Sequence, residues 1–149
     1  MYIVEGNIGA GKSTFITLLH SYLPHITYSL EPVDTWARQN YGKSLLEQFY
    51  TEPHRWAYTI ETLAMLCRSR DYMKSEARSS FHFMERSLYS GHYCFALNGK
   101  AEGYFSPLEW EIYQHLLSDV ALVAIDDINI NDKRNLFDSL PFEKWDLTN

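Results

Sequence analysis

Positive charge is in short supply: across 149 residues, 13 Lys and Arg face 19 Asp and Glu, a formal charge of −6. Neutralising a nucleic-acid backbone takes clustered Lys and Arg, so this balance argues against a duplex-binding module, though not against a local site for a small anion. Cysteine is scarce too. Cys67 and Cys94 are the whole complement, which fits a reduced intracellular protein better than a disulfide framework. No run approaches the roughly 18 uncharged apolar residues of a membrane-spanning helix. The opening Met1-Tyr2-Ile3-Val4-Glu5-Gly6 lacks the basic region and the apolar stretch of a signal peptide. Repeats, low-complexity tracts and Pro/Gly/Ser linkers are missing, so a single domain over 1–149 is expected. The histidines (His20, His25, His54, His82, His92 and His115) show no paired spacing with the cysteines, which speaks against a zinc site. What is present is ordinary globular composition, 46% hydrophobic and 21% charged, in a chain long enough to bury roughly 68–70% of its unfolded surface. The expectation is one cytoplasmic domain with neither a membrane nor a nucleic-acid polymer as partner.

Along the chain, Tyr2-Ile3-Val4 reads as a short buried strand stopping at Gly6. Lys12 to Leu23 reads as a helix ended by Pro24, with Phe15, Leu18, Leu19 and Tyr22 at helical spacing. Ile26 to Leu30 is a second strand candidate, completing the βαβ order of a parallel sheet. After Pro53 comes the longest periodic segment. One stripe carries Trp56, Ile60, Leu63, Ala64 and Cys67, and a second carries Tyr58, Glu61, Met65, Arg68 and Tyr72. Cys67 on the first stripe reads as a small buried hydrophobe. Glu61 and Arg68, seven residues apart, share a helix face about 10 Å apart along the axis. Phe81 to Met84 looks like a strand that delivers Glu85 and Arg86 at its end. Ser106-Pro107-Leu108-Glu109 combines a capping box with Pro at the first helical position, and that helix is expected to reach about Leu117. Val120 to Ile125, apolar throughout, reads as a fully buried strand.

The segment Gly6-Asn7-Ile8-Gly9-Ala10-Gly11-Lys12-Ser13-Thr14 satisfies G-x-x-x-x-G-K-[ST] between a strand and a helix. Glycines let the backbone wrap so that amides point inward at phosphate oxygens, and the following helix adds its positive end. Lys12 can reach the β- and γ-phosphates, and the Ser13 hydroxyl can ligate Mg²⁺. The pattern implies binding of a nucleoside triphosphate. It does not name the acceptor.

Four motifs in order narrow it: GNIGAGKST, then Glu31-Pro32-Val33 with Trp36, then FYTEPHRW (Phe49 to Trp56), then ERSLYSGHYCFA (Glu85 to Ala96). Over roughly residues 1–118 the chain resembles the deoxynucleoside kinase family. The resemblance implies a three-layer α/β fold with a parallel sheet and P-loop, reduced at its C-terminal end. It further implies ATP and Mg²⁺ as cofactors, a deoxynucleoside acceptor and a homodimer paired through the long helices. By the same resemblance, Glu31 is the general base toward the 5′-hydroxyl and Arg86 holds the transferred phosphoryl region. Both roles suit phosphoryl transfer, which is mostly positioning and charge neutralisation. Glu85 corresponds to the acidic partner of Mg²⁺ beside Ser13, Tyr50 to the residue that bonds the 3′-hydroxyl, Trp36 and Phe95 to aromatic walls of the base pocket, and Arg68 to a base-contacting arginine.

Three departures stand out. Glu61 replaces a glutamine that reads the base edge. An ionised carboxylate only accepts hydrogen bonds and suits adjacent donors such as guanine N1–H and N2–H₂, whereas thymine or cytosine requires a protonated Glu61. Gly91 stands where cytidine- and purine-preferring relatives carry an acidic residue, which is more like the thymidine-preferring branch, so the two positions point to different bases. The arginine-rich lid has no counterpart either, since after Arg86 the only arginine is Arg134. Val120 to Asp126 is then either the strand before a deleted lid or the last strand after one. Arginines of this kind are worth about 10³–10⁵ in rate in related chemistry. A nucleotide-binding remnant acting as an interaction module is therefore a second reading. A thymidylate-like monophosphate kinase is a third, for which the pocket offers mainly Arg38 and Arg68 as extra cations.

Overall fold

The computed structural model describes residues 1–38, 44–76 and 81–125. Its sheet has three parallel strands, β1 (Tyr2–Val4), β2 (Thr27–Ser29) and β3 (His82–Glu85), in the order β1-β3-β2. Tyr2 pairs with Phe83 and Val4 with Glu85, while Thr27 pairs with His82 and Ser29 with Met84. The three strands therefore end side by side, where ligands bind in open parallel sheets. Central β3 is held on both edges; His82, 1% exposed, packs its ring nitrogens against the Thr27 and Ser29 hydroxyls at 2.8 and 3.2 Å.

The helices are α1 (Lys12–Tyr22), α2 (Val33–Ala37), α3 (Leu45–Thr51), α4 (Pro53–Glu76), α5 (Leu88–Ser90), α6 (Leu97–Ala101) and α7 (Pro107–Ile125), with a π-helical stretch over Gly91–Ala96 between α5 and α6. α1 and α4 pack against β3, the parallel sheet flanked by helices that the sequence implies. The Ser106 box forms as expected: the Ser106 amide donates to Glu109 Oε2 at 2.9 Å and the Glu109 amide to Ser106 Oγ at 3.2 Å. α4 and α7 then enclose the main core, in which Ala57 and Met65 meet Ala96, Phe105, Trp110, Tyr113 and Leu117.

Two expectations are corrected. Val120 to Ile125 is not a strand: α7 runs unbroken from Pro107 through Ile125, past the expected end near Leu117, and Asp126 lies outside the described residues. A short apolar run is compatible with either structure, and here it continues a helix already nucleated by its box, where each added residue adds a hydrogen bond. Both placements of a deleted lid around a strand at 120–126 fall with it. Secondly, β1 is not buried, since Tyr2 and Ile3 are 50% and 43% exposed. Its outer edge pairs with no described strand, and the Tyr2 ring rests on Phe83 and Phe81 instead. The expected first helix forms as α1, which buries Ile16 completely while Phe15, Leu18 and Tyr22 are exposed. Both stripes of α4 contribute to the interior: Ile60, Ala64 and Cys67 from one, and Met65 and Arg68 from the other, are buried.

Candidate active site

The loop between β1 and α1 is shaped by backbone conformations that only glycine adopts cheaply, with Gly9 at φ +77° and Gly11 at φ +83°. Gly11 caps α1 without a side-chain hydrogen bond, so the first amides of the helix are left for an anion. A Cβ on Gly9 or Gly11 would meet nothing within 4 Å; the φ angle, not crowding, requires these glycines. Lys12 is buried and folds back over the loop, its Nζ donating to the Asn7 carbonyl at 2.9 Å.

Glu85 ends β3 and organises the rim of this cradle. Its Oε2 accepts from Ser13 Oγ at 2.8 Å and from the Glu31 amide at 3.4 Å, and its Oε1 lies 3.9 Å from Lys12 Nζ. Hydroxyl and carboxylate oxygens this close are hard donors that fit Mg²⁺, which binds through one or two such groups and takes its remaining ligands from phosphate and water. Among the described residues no cluster of three or more His, Cys, Asp or Glu could hold a metal without such help.

One residue on, Arg86 takes φ +65°, a left-handed conformation costing a non-glycine residue on the order of 1 kcal/mol. Both flanking amides anchor the turn to β1: Arg86 N donates to the Val4 carbonyl at 3.1 Å and Ser87 N to Glu5 Oε1 at 2.9 Å. Glu5 was not legible as a site residue, because its role depends on β1 and β3 lying side by side. The turn aims the Arg86 guanidinium across the Phe95 ring, 4.8 Å from its centre, with Nε donating to Glu31 Oε2 at 3.2 Å. The other carboxylate oxygen, Glu31 Oε1, accepts from Arg68 Nη2. Glu31 is thus gripped at both oxygens by guanidinium groups that reach it from α4 and from the end of β3. Arg68 is 7% exposed rather than solvated.

A cavity of about 570 Å³ runs from Gly9, Gly11, Lys12, Ser13 and Thr14 at one end to Trp36, Glu61 and Phe95 at the other, passing Glu31, Glu85, Arg68 and Arg86. That volume lies within the range of small-molecule sites. Tyr50 also lines it, but as a rim residue 67% exposed. Gly6, Asn7 and Ala10 shape the loop without lining the cavity, whereas Ile8 lines its mouth. Tyr104 and Phe105 complete the aromatic wall; sequence reasoning passed over them, and the signal was an aromatic pair immediately before a capping box. Cys94 lines the same cavity, and both cysteines are free.

Burial dominates the chemistry at the aromatic end. It raises the Glu61 carboxyl from 4.5 to about 7; Arg68 pulls the value down, Glu31 up and Arg86 down, in that order of strength. Tyr113 is pushed well above its ordinary value, first by burial and then by nearby Glu61.

An α/β protein with a glycine loop opening the first helix, and acidic and guanidinium groups at neighbouring strand ends, has the architecture of a P-loop phosphotransferase. Residues 2–130 match the family model described as deoxynucleoside kinase. Among curated relatives, the chain is 37% identical to Deoxycytidine kinase 2 of Gallus gallus, with 74% of this chain and 49% of the relative covered. It is 34% identical to Deoxycytidine kinase of Homo sapiens (74% and 50% covered) and 30% to mitochondrial Deoxyguanosine kinase of Xenopus laevis (74% and 49% covered). This chain belongs to the deoxynucleoside kinase family. It spans about half the length of the curated relatives it matches.

Proposed function

We propose that the chain transfers the γ-phosphoryl group of ATP to the 5′-hydroxyl of a deoxynucleoside, giving the 5′-monophosphate. The observation that carries this reading is the continuity of one cavity from the glycine loop to the aromatic wall, with Glu31 and Arg86 midway. A triphosphate tail seated on the α1 amides points its terminal phosphate at that midpoint. A nucleoside stacked between Trp36 and Phe95 delivers its sugar to the same place. Glu31 accepts the hydroxyl proton, and the grip on both its oxygens holds it in one orientation. Arg86 and Lys12 stabilise charge on the transferring group. Ser13 and Glu85 would hold Mg²⁺, which would supply further neutralisation of phosphate charge. Tyr50 reaches the sugar 3′-hydroxyl from the rim, while Glu61 meets the base.

Deoxycytidine and deoxyguanosine kinases among the relatives support a deoxynucleoside acceptor. A monophosphate acceptor is less well served, since the guanidinium group of Arg68 is engaged by Glu31 and Arg38 does not line the cavity. The remnant reading is opposed by the Glu31, Glu85 and Arg86 set that the described residues bring to the cavity, which nucleotide binding alone does not require. Among those residues no helix is long and apolar enough to cross a membrane, and a cytoplasmic setting belongs to the same proposal. So does a homodimer, supported by Leu66 and Met73, seven residues apart on α4 and 48% and 47% exposed.

The test is phosphate transfer from Mg·ATP to a panel of deoxynucleosides by the wild type and by Glu31→Gln. Transfer by the wild type with about 10²–10⁴-fold lower kcat in the variant supports the proposal. Thermal stabilisation by ATP with no transfer to any acceptor supports the remnant instead.

A further inference from the structure

The glycine at position 91 calls for a reason, because its backbone does not. Gly91 has φ −57° and ψ −50°, right-handed helical values that any residue adopts. What a side chain there would meet is Arg68: a Cβ built on Gly91 runs into Arg68 Nη1, the movable end of that side chain, and sits 3.3 Å from Cζ. The guanidinium lies against the bare α-carbon, and from there Nη2 reaches Glu31. Arg68 Nε is buried without a hydrogen-bond partner among the described residues. The side chain therefore leaves one donor unsatisfied while contacting Glu31 through Nη2.

We propose that Arg68 is a positioning residue for Glu31, and that Gly91 is the gap that lets it serve there. A side chain at 91 displaces the guanidinium, and Glu31 is then held by Arg86 alone. The inference rests on the reading of Glu31 as proton acceptor, and it departs from the expectation that Arg68 serves only the base. It also gives the glycine a task independent of base preference.

Steady-state kinetics with deoxynucleosides of unlike bases, thymidine and deoxyguanosine, separate the roles. For a positioning residue, Arg68→Ala and Gly91→Ala each lower kcat about 10²-fold for both nucleosides, with KM changed by less than about threefold. Arg68→Lys, which keeps the charge, recovers part of the loss, and it stands in should the alanine variant fail to fold. A normal kcat in Arg68→Ala, with KM raised for one nucleoside only, overturns the proposal. A second readout needs no turnover: in ¹⁵N-labelled protein, the Nη protons of Arg68 are resolved while Glu31 holds them and collapse together in Gly91→Ala. Nη signals unchanged in Gly91→Ala overturn the proposal. A wild type that transfers no phosphate defeats only the kinase reading, and the Nη signals then decide the placement of Arg68 by themselves.

Discussion

Replacing Glu61 by glutamine isolates the electrostatic strain of one buried carboxyl group. In the unfolded chain this carboxyl ionises near 4.5, whereas in the folded protein burial holds the proton on until about pH 7. Below 4.5 both states carry the proton, and the group makes no difference to folding. Between 4.5 and 7 the unfolded state gives up its proton first, so stability falls as pH rises, and above about 7 the loss is complete. Its size is about 3 kcal/mol. Glutamine fills the same space and never ionises, so Glu61→Gln lacks this dependence. For a chain of this size about 1 kcal/mol corresponds to roughly 2–4 °C in Tm. The variant is therefore expected to gain roughly 6–12 °C over the wild type between pH 4.5 and 8. Thermal unfolding of both proteins at half-unit pH steps gives the difference curve directly. Two Tm profiles that run parallel across that range would refute the burial argument for Glu61.

The same group controls what the aromatic end of the cavity offers a base. Below about pH 7 a neutral Glu61 both donates and accepts, so the ratio of deoxyguanosine to thymidine turnover should rise as pH increases through 7 in the wild type and stay flat in Glu61→Gln. Lys12→Ala removes the cation folded over the glycine loop. Stabilisation by Mg·ATP, worth about 2.7 kcal/mol at a hundredfold excess over Kd, should largely vanish from thermal-shift curves while the protein without nucleotide unfolds nearly as before. Ser106→Ala breaks the reciprocal box at the start of α7 and should cost about 1 kcal/mol, read as a lower denaturant midpoint with unchanged m-value.

Local grammar carries far in this chain. Glycine spacing before Lys12, the Ser106–Glu109 box, Pro53 ahead of a periodic segment and the short strand runs are each decided within a few residues, because φ preference, capping and side-chain periodicity act over one or two turns. The family motifs add which of those elements deliver Glu31, Glu85 and Arg86 to a common edge, and the strand register brings them there. Contacts between distant segments were not legible in this way. Val120–Ile125 reads equally as strand or helix until α7 is seen to continue through it. Nor does any local pattern reveal that Tyr2 and Ile3 lie on an edge strand, that Glu5 anchors the turn at Arg86, or that Arg68 lies across Gly91. Sequence determined the elements and the chemical groups they carry, since those follow from short-range sterics and hydrogen bonding. Tertiary structure decided which charges meet and how dry their surroundings are, because desolvation and ion pairing depend on residues such as Glu31, Glu61, Arg68 and Arg86 that only the folded chain brings together.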